Sequence, residues 1–363
     1  MIGAGTKGDG EKMIKVGAER EIRFDRSLRY QRQVDYNIND YELLPWVFET
    51  GPKKAYKNLN LSIFVDDECN ADCRFCVAQL RYEHRKQLYQ KEHIAEDERY
   101  LSRLRYVLEK VRPLNPSISI TGGEPSISPR LLPIIRMVDE LGFRKRTITT
   151  NGSGLLRVEE GKTVLEYLME RGFDHLNISR VCADERKNRE IMRYCEQGAY
   201  CSNEDIGQIA RMVRGGGMRI RMSCILLQSA VNRVEKIREY VDFYRQYGID
   251  NFIFRQLMDY DHRAVNREKI TYCDENKIEL NEIWEEMEQD EEIAPYMNLL
   301  GYYYYVELYD YHGCRVAGES ADLEQQYREK SRHPDVVYEM VFHTNGVLSG
   351  SWIPTEEILM DVR

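Results

Sequence analysis

Between about residue 60 and residue 258 a short apolar run followed by a helical period recurs six times, and this recurrence restricts the fold more than any other feature. The runs Leu61–Val65, Ser117–Thr121, Arg146–Thr150, His175–Ser179, Met218–Leu226 and Asn251–Leu257 have the length of buried strands. Helical periods lie between them. Leu101, Leu104, Leu108 and Val111 share a face and stop before Pro113. Ser128 reads as an N-cap with Pro129 in the first turn, ahead of Leu132, Ile135 and Val138 and a stop at Gly142. Val164, Leu165 and Leu168 lead to Gly172, then Ile206, Ile209 and Val213 to a triple glycine at 215–217. Val234, Ile237 and Val241 lead to Gly248. Repeated β-α units with short links build a parallel sheet with right-handed crossovers. The expected class is α/β, a partial (β/α)6 TIM-like barrel in preference to a flat doubly wound sheet.

The 363 residues leave room for more than this barrel. The expected division is an N-terminal extension over 1–57, the partial barrel over 58–258 and a small α+β C-terminal region over 259–363. Residues 14–57 are rich in Arg and Tyr and hold Trp46 and Phe48, which suits packing across the barrel's bottom or open side. In the C-terminal region Asp274–Glu292 reads as an acidic amphipathic helix with Leu280, Trp284 and Met287 inward. Tyr302–Tyr305 reads as a core strand, with pocket lining as the alternative. Val336–His343 and Val347–Trp352 flank Asn345-Gly346, a hairpin signal. This region is expected to cap the open mouth and to select the substrate.

Charge and cysteine content narrow the setting. The 61 acidic and 52 basic residues give a net charge of −9 with no basic block, which argues against a nucleic acid held through its phosphates. No apolar stretch reaches the roughly 20 residues that span a bilayer, so no membrane partner is expected. Residues Met1 to Met13 lack the apolar core of a secretory signal. With nine cysteines this points to a reducing cytoplasm, where thiols and metal ligation are favoured over disulfides.

Parallel β/α folds place their chemistry at the carboxyl ends of the strands, and the unusual residues fall there. Cys69-Asn-Ala-Asp-Cys73-Arg-Phe-Cys76 follows the first run and Thr121-Gly122-Gly123-Glu124-Pro125 the second. Thr149-Thr150-Asn151-Gly152 follows the third, and Asn177 to Arg180 ends the fourth. Ser223 and Cys224 lie in the fifth, and Arg255-Gln256 ends the sixth. Three thiolates are one short of a closed tetrahedral zinc site. They suit a cubane with three irons held by protein and one left open. Zinc completed by His84 or a distant cysteine is the alternative. Phe75 lies beside such a cluster or its ligand, or simply packs in the core. Gly122 and Gly123 permit close backbone approach to a bound group, with the Glu124 carboxylate as an acceptor for an ammonium; alone, the same tetrapeptide is an ordinary turn. Tyr82, His84 and Arg85 are polar enough to touch a substrate, though a solvated loop is the simpler reading.

C-x3-C-x2-C with an aromatic residue before the third cysteine, followed by G-G-E-P, resembles the radical S-adenosylmethionine (radical SAM) superfamily, over residues 58 to 258. The resemblance implies a [4Fe–4S] cluster held by Cys69, Cys73 and Cys76, with S-adenosylmethionine on the open iron. It implies that Gly122, Gly123 and Glu124 bind the SAM amino group, with Phe75 close by. Ser179 would reach the ribose or the methionine carboxylate, and Asn151 is a second candidate of that kind; their local readings are a strand-end cap and a turn. It also implies reductive cleavage of SAM to a 5′-deoxyadenosyl radical that takes hydrogen from a substrate, and a reductant such as flavodoxin or ferredoxin.

Within the superfamily, Thr149–Gly152, Leu176–Ser179 and the turn holding Asn232 most resemble the molybdenum-cofactor cyclase branch. The C-terminal part departs from it. No second C-x2-C follows, and the sequence ends in Asp361-Val362-Arg363 instead of a double glycine, so that branch's own reaction is not expected. The six other cysteines, scattered from Cys182 to Cys314, read as buried thiols before they read as a second cluster. The expected substrate is a natural-product precursor or a ribosomally made peptide. Small-metabolite or cofactor biosynthesis is the alternative, and a non-catalytic iron–sulfur electron-transfer or sensing protein the remote one.

Overall fold

Strand-end chemistry needs a sheet whose carboxyl ends share one side, and the six runs supply it. In the computed structural model, which describes residues 13–15, 21–30, 42–76, 93–195, 199–260 and 264–361, they form β1 (Asn60–Phe64), β2 (Ser117–Thr121), β3 (Arg146–Thr150), β4 (His175–Ser179), β5 (Arg219–Ile225) and β6 (Asn251–Arg255). Each is parallel to the next. The helices between them are α1 (Asp97–Val111), α2 (Leu131–Glu140), α3 (Val164–Glu170), α4 (Glu185–Met192), α5 (Asn203–Val213) and α6 (Val234–Arg245). Side chains alternate along each strand. Leu61, Ile118, Ile148, Leu176, Met222 and Phe252 are buried in the main apolar core. The opposite positions, among them Ser62, Ser119, Thr149, Asn177, Arg221 and Arg255, are polar, so the barrel's inner face is hydrophilic.

The parallel run is longer than six. Beyond β6 come α7 (Arg267–Asn276), α8 (Leu280–Gln289), β7 (Ile293–Leu300), β8 (Tyr304–Tyr311), β9 (Cys314–Ala321), α9 (Leu323–Arg332), β10 (Met340–Phe342), β11 (Val347–Ser349) and β12 (Ile358–Asp361). The sheet order is β7-β8-β9-β6-β5-β4-β3-β2-β1-β10-β11-β12. β9 lies parallel to β6 and β10 parallel to β1, so the segment after β6 flanks both edges of the six-stranded core. Helix α9, capped by Asp322 through Gln325 N at 2.9 Å, bridges those edges. Lys330 Nζ donates to Gly350 O at 2.7 Å, and Tyr338 OH donates to Glu329 Oε1 at 2.9 Å. Tyr302 stacks on Tyr338 with centroids 4.4 Å apart.

Several local expectations shift. Ser128 does not cap α2; it closes the 3-10 turn Pro125–Ile127, and its hydroxyl accepts from Arg130 N at 3.3 Å. Helix α4 was not anticipated, because only Ile191 and Met192 give it buried apolar side chains. The long acidic helix is two helices, α7 and α8. Asn276 ends the first by accepting from Gln228 N at its carbonyl and from Ser229 N at its side chain, 3.1 and 3.0 Å away. Leu280, Trp284 and Met287 are inward as expected. Before the barrel, Leu43–Phe48 and Gly51–Tyr56 pair antiparallel, and Val336–Val337 adds a third strand. Among the described residues no helix is long and apolar enough to cross a membrane.

The Asn345-Gly346 hairpin forms between β10 and β11, with Gly346 at φ +84°. It buries His343, whose Nε2 lies 3.1 Å from Ser351 O and 2.9 Å from Ser349 Oγ. A carbonyl only accepts, so Nε2 carries a proton. Burial pushes the His343 imidazole down to about 4. The folded value lies below the unfolded one, so stability is complete above pH ~6.5 and declines as pH falls towards 4. Urea unfolding across that window should show a loss of up to about 3 kcal/mol, absent in His343→Gln; equal pH profiles would contradict it.

Candidate functional site

The ladder between β1 and β2 continues past both strands. Val65 N donates to Thr121 O at 2.9 Å, Gly123 N to Asp66 O at 2.7 Å and Glu124 N to Glu68 O at 2.8 Å. The cysteine loop is thereby laid against the glycine pair. A Cβ on Gly122, whose φ is +142°, would stand 2.8 Å from Asp66 O. One on Gly123 would stand 2.5 Å from the Glu68 carbonyl carbon. The close approach expected towards a ligand is therefore an approach of backbone to backbone. On its other side the loop is held by the end of α4. Asp72 N donates to Met192 O and Arg74 N to Ile191 O, both at 3.2 Å, and Cys195 N to Asn70 O at 3.0 Å.

Glu124 is engaged by three donors of the protein. It is 2% exposed. Its Oε1 accepts from Ser126 N at 2.8 Å and from the Thr150 hydroxyl, and its Oε2 accepts from Asn151 N at 2.6 Å. Burial raises its pKa against the pull of those donors. The side chain ties the β2 loop to the end of β3. Asn151 is similarly engaged. Its Oδ1 accepts from Ser153 N at 3.0 Å, an Asx turn, while its Nδ2 donates to Asn70 Oδ1 at 2.9 Å in the cysteine loop. The turn reading of Asn151-Gly152 therefore describes its side chain. Ser179 differs: it lines the cavity, and its hydroxyl makes no hydrogen bond to the described residues.

Cys69, Cys73, Phe75, Cys76, Gly122, Gly123, Glu124, Asn151 and Ser179 all line one cavity of about 780 Å³ at the carboxyl rim. Burial, then the neighbouring Cys76 and Cys69, push the Cys73 thiol well up. Three thiols lining one cavity form a donor set for soft metal. Among the described residues no three His, Cys, Asp or Glu side chains close around a single ion. A closed zinc site needs four donors on one point. All nine cysteines lie outside disulfides, and Cys182, Cys201, Cys224, Cys273 and Cys314 are buried. Tyr82, His84 and Arg85 lie outside the described residues.

Sequence reasoning missed Arg180, the residue after Ser179. It is 1% exposed, lines the cavity and has no carboxylate partner among the described residues. Its Nη1 donates to Tyr200 OH at 2.5 Å and its Nη2 to Cys201 O, while the buried Nε has no partner. A buried guanidinium left so suits an anionic ligand group. Also lining the cavity, Arg255 Nε donates to Glu319 Oε1 at 2.8 Å and Nη1 to Ser223 Oγ at 3.0 Å. Tyr303 is the member of the aromatic run that lines the cavity. Tyr327 and Trp352, 40% and 43% exposed, stand among its outer lining.

The sequence model of the radical SAM superfamily matches residues 65–197. A GTP 3′,8-cyclase of Marinobacter nauticus is 30% identical over 188 residues, 51% of this chain and 50% of that protein. Molybdenum cofactor biosynthesis protein 1 of Bos taurus is 26% identical over 63% of this chain, which covers 33% of its length. The chain thus spans half or less of these two relatives. Crystalline SuiB of Streptococcus suis bound to S-adenosylmethionine shares the fold, with a TM-score of 0.52 and 17% identity over 82% of this chain and 61% of that one. Over residues 65–197 this chain carries a radical SAM domain.

Proposed function

We propose that this chain is a radical SAM enzyme that abstracts hydrogen from a ribosomally made peptide or another natural-product precursor. The observation that carries the reading is the convergence of three thiols, the glycine pair and Ser179 on one cavity at the barrel's carboxyl rim. When bound, the cluster and S-adenosylmethionine supply a 5′-deoxyadenosyl radical after one-electron reduction. Cys69, Cys73 and Cys76 hold the iron. The carbonyls of Gly122 and Gly123 accept from the ammonium of the methionine moiety, and Ser179 and Arg180 take the ribose hydroxyls and the carboxylate. Glu124 and Asn151 act one step back, fixing the loops that present those groups. Phe75 packs against the buried apolar cluster that includes Leu257 and Cys273.

The segment after residue 258 is proposed to choose the substrate. It closes the space between the sheet edges and contributes Tyr303, Glu319, Tyr327 and Trp352 to the cavity. Half-exposed aromatic rings sharing the cavity with a paired Arg255 and Glu319 suit a side chain with its flanking peptide groups. The two relatives named above share half their length or less with this chain, so the nucleotide substrate of the cyclase is not transferred. A flavodoxin or ferredoxin is the proposed reductant. The test is anaerobic reconstitution with iron and sulfide, reduction with dithionite and addition of SAM. Release of 5′-deoxyadenosine above a protein-free control is expected, and none from the Cys69→Ala/Cys73→Ala/Cys76→Ala chain. Equal release from both chains would overturn the proposal.

A further inference from the structure

Lys269 approaches the cysteine loop from outside the six-stranded barrel. It sits in the first turns of α7, where Asn266 Oδ1 accepts from Lys269 N at 3.3 Å. Its side chain is only 5% exposed. The ammonium donates to Asp72 Oδ1 at 2.9 Å and to the backbone carbonyl of Cys73 at 2.5 Å. Both partners belong to the C-x3-C-x2-C loop, almost two hundred positions earlier. Two further contacts join α7 to this neighbourhood. Arg193, just past α4, pairs with Glu268. The Arg74 guanidinium lies 5.4 Å from the ring centre of Tyr272. Glu268 is 68% exposed and therefore screened, whereas Lys269 is shielded from water.

Holding a loop does not by itself need a charge. Burying an ammonium is costly even when it is paired, and an apolar pair of similar volume often stabilises a fold as well. What an apolar side chain cannot do is place positive charge against the backbone of a metal ligand in a medium of low dielectric. There it favours whichever state of the metal centre carries the extra electron. Charge, hydrogen bonding and burial around a cluster set its potential. We propose that Lys269 is a positioning residue that raises the reduction potential of the cluster bound by Cys69, Cys73 and Cys76, with Asp72 as its counter-charge. This inference rests on the cluster reading of the cysteine loop.

The test is an electron paramagnetic resonance-monitored redox titration of the full chain, reconstituted anaerobically, with iron per chain measured alongside. Lys269→Met should move the midpoint to more negative potential, with about a tenfold loss in the equilibrium constant for reduction, 59 mV for one electron. Lys269→Arg should stay close to wild type. Asp72→Asn, which removes the opposite charge, should move the midpoint the other way. A merely structural lysine would change iron content or thermal stability but would not produce opposite shifts from the two neutralisations. Wild-type and Lys269→Met chains with equal iron and equal midpoints would overturn the inference. Should Lys269→Met fail to retain iron, Asp72→Asn decides: a positive shift sustains the inference and an unchanged midpoint ends it. A wild-type chain that takes up no cluster would remove the underlying reading, and the inference with it.

Discussion

Gly123→Ala is expected to emerge from anaerobic reconstitution with about as little iron as the chain in which Cys69, Cys73 and Cys76 are all alanine, although its barrel stays folded. The added methyl would overlap the backbone carbonyl of Glu68, with its centre 2.5 Å from that carbon. A backbone group has no rotamer with which to retreat, so the segments 65–68 and 121–124 must part. The hydrogen bonds Gly123 N to Asp66 O and Glu124 N to Glu68 O go with them. Overpacking of about 1–3 kcal/mol and two lost hydrogen bonds of about 1 kcal/mol each fall on the ends of β1 and β2. Below them Leu61, Ile63, Ile118 and Ile120 are fully buried and keep the strands in place. The buried strands hold, so the strain is expected to displace the cysteine loop that follows β1. Iron content and visible absorbance measure the loss, and circular dichroism the retained fold. Gly217→Ala, at a position with nothing within 4 Å of the new methyl, is the control and should load normally. Full iron in Gly123→Ala would show that the glycine is not there to let the loop close.

The barrel and its rim were legible because both depend on local chemistry. Each strand lies within about two residues of its apolar run, and a parallel β/α arrangement sends the odd residues at strand ends to one side. The two additional parallel strands were not legible. β9 and β10 join β6 and β1 across long stretches of chain, and periodicity carries no information about partners. Nor does a motif say which of its atoms are used. G-G-E-P does not announce that its carboxylate accepts from Ser126, Thr150 and Asn151, or that a Cβ on either glycine would meet the backbone of Asp66 or Glu68. Arg180 was hidden by its neighbour Ser179, because no local pattern announces a guanidinium buried without a carboxylate. Lys269 was hidden by distance along the chain, and its helix by the break at Asn276, whose amide is engaged by a different loop.

Glu307→Ala should be the most destabilising single change outside the cofactor site, at about 3–5 kcal/mol. Glu307 on β8 is fully buried, and Arg29, which precedes the barrel, is 2% exposed. The two form a fork: Nε to Oε1 and Nη2 to Oε2, both at 2.7 Å. Tyr305 OH and Tyr309 OH also donate to that carboxylate, at 2.7 and 2.5 Å. Asn298 fastens the same segment by donating to Asp25 O at 2.6 Å and accepting from Asp25 N at 3.1 Å. Truncating Glu307 leaves a desolvated guanidinium with Glu288 as its remaining described carboxylate, and takes the acceptor from two buried phenols. The penalty belongs to the stranded charge more than to the lost attraction. Arg29→Met combined with Glu307→Leu should therefore recover much of the loss that either neutralisation causes alone. Urea unfolding of the two single variants and the double variant measures this as a coupling energy. A Glu307→Ala cost below about 1 kcal/mol, the range of an exposed pair, would show that this clasp does not anchor residues 24–29. The consequence reaches the cavity, because β8 starts one residue after Tyr303, and β8 pairs along its length with β9, which carries Glu319. Loosening the clasp should therefore slow turnover of the physiological substrate more than it slows substrate-free release of 5′-deoxyadenosine, which depends on the opposite wall.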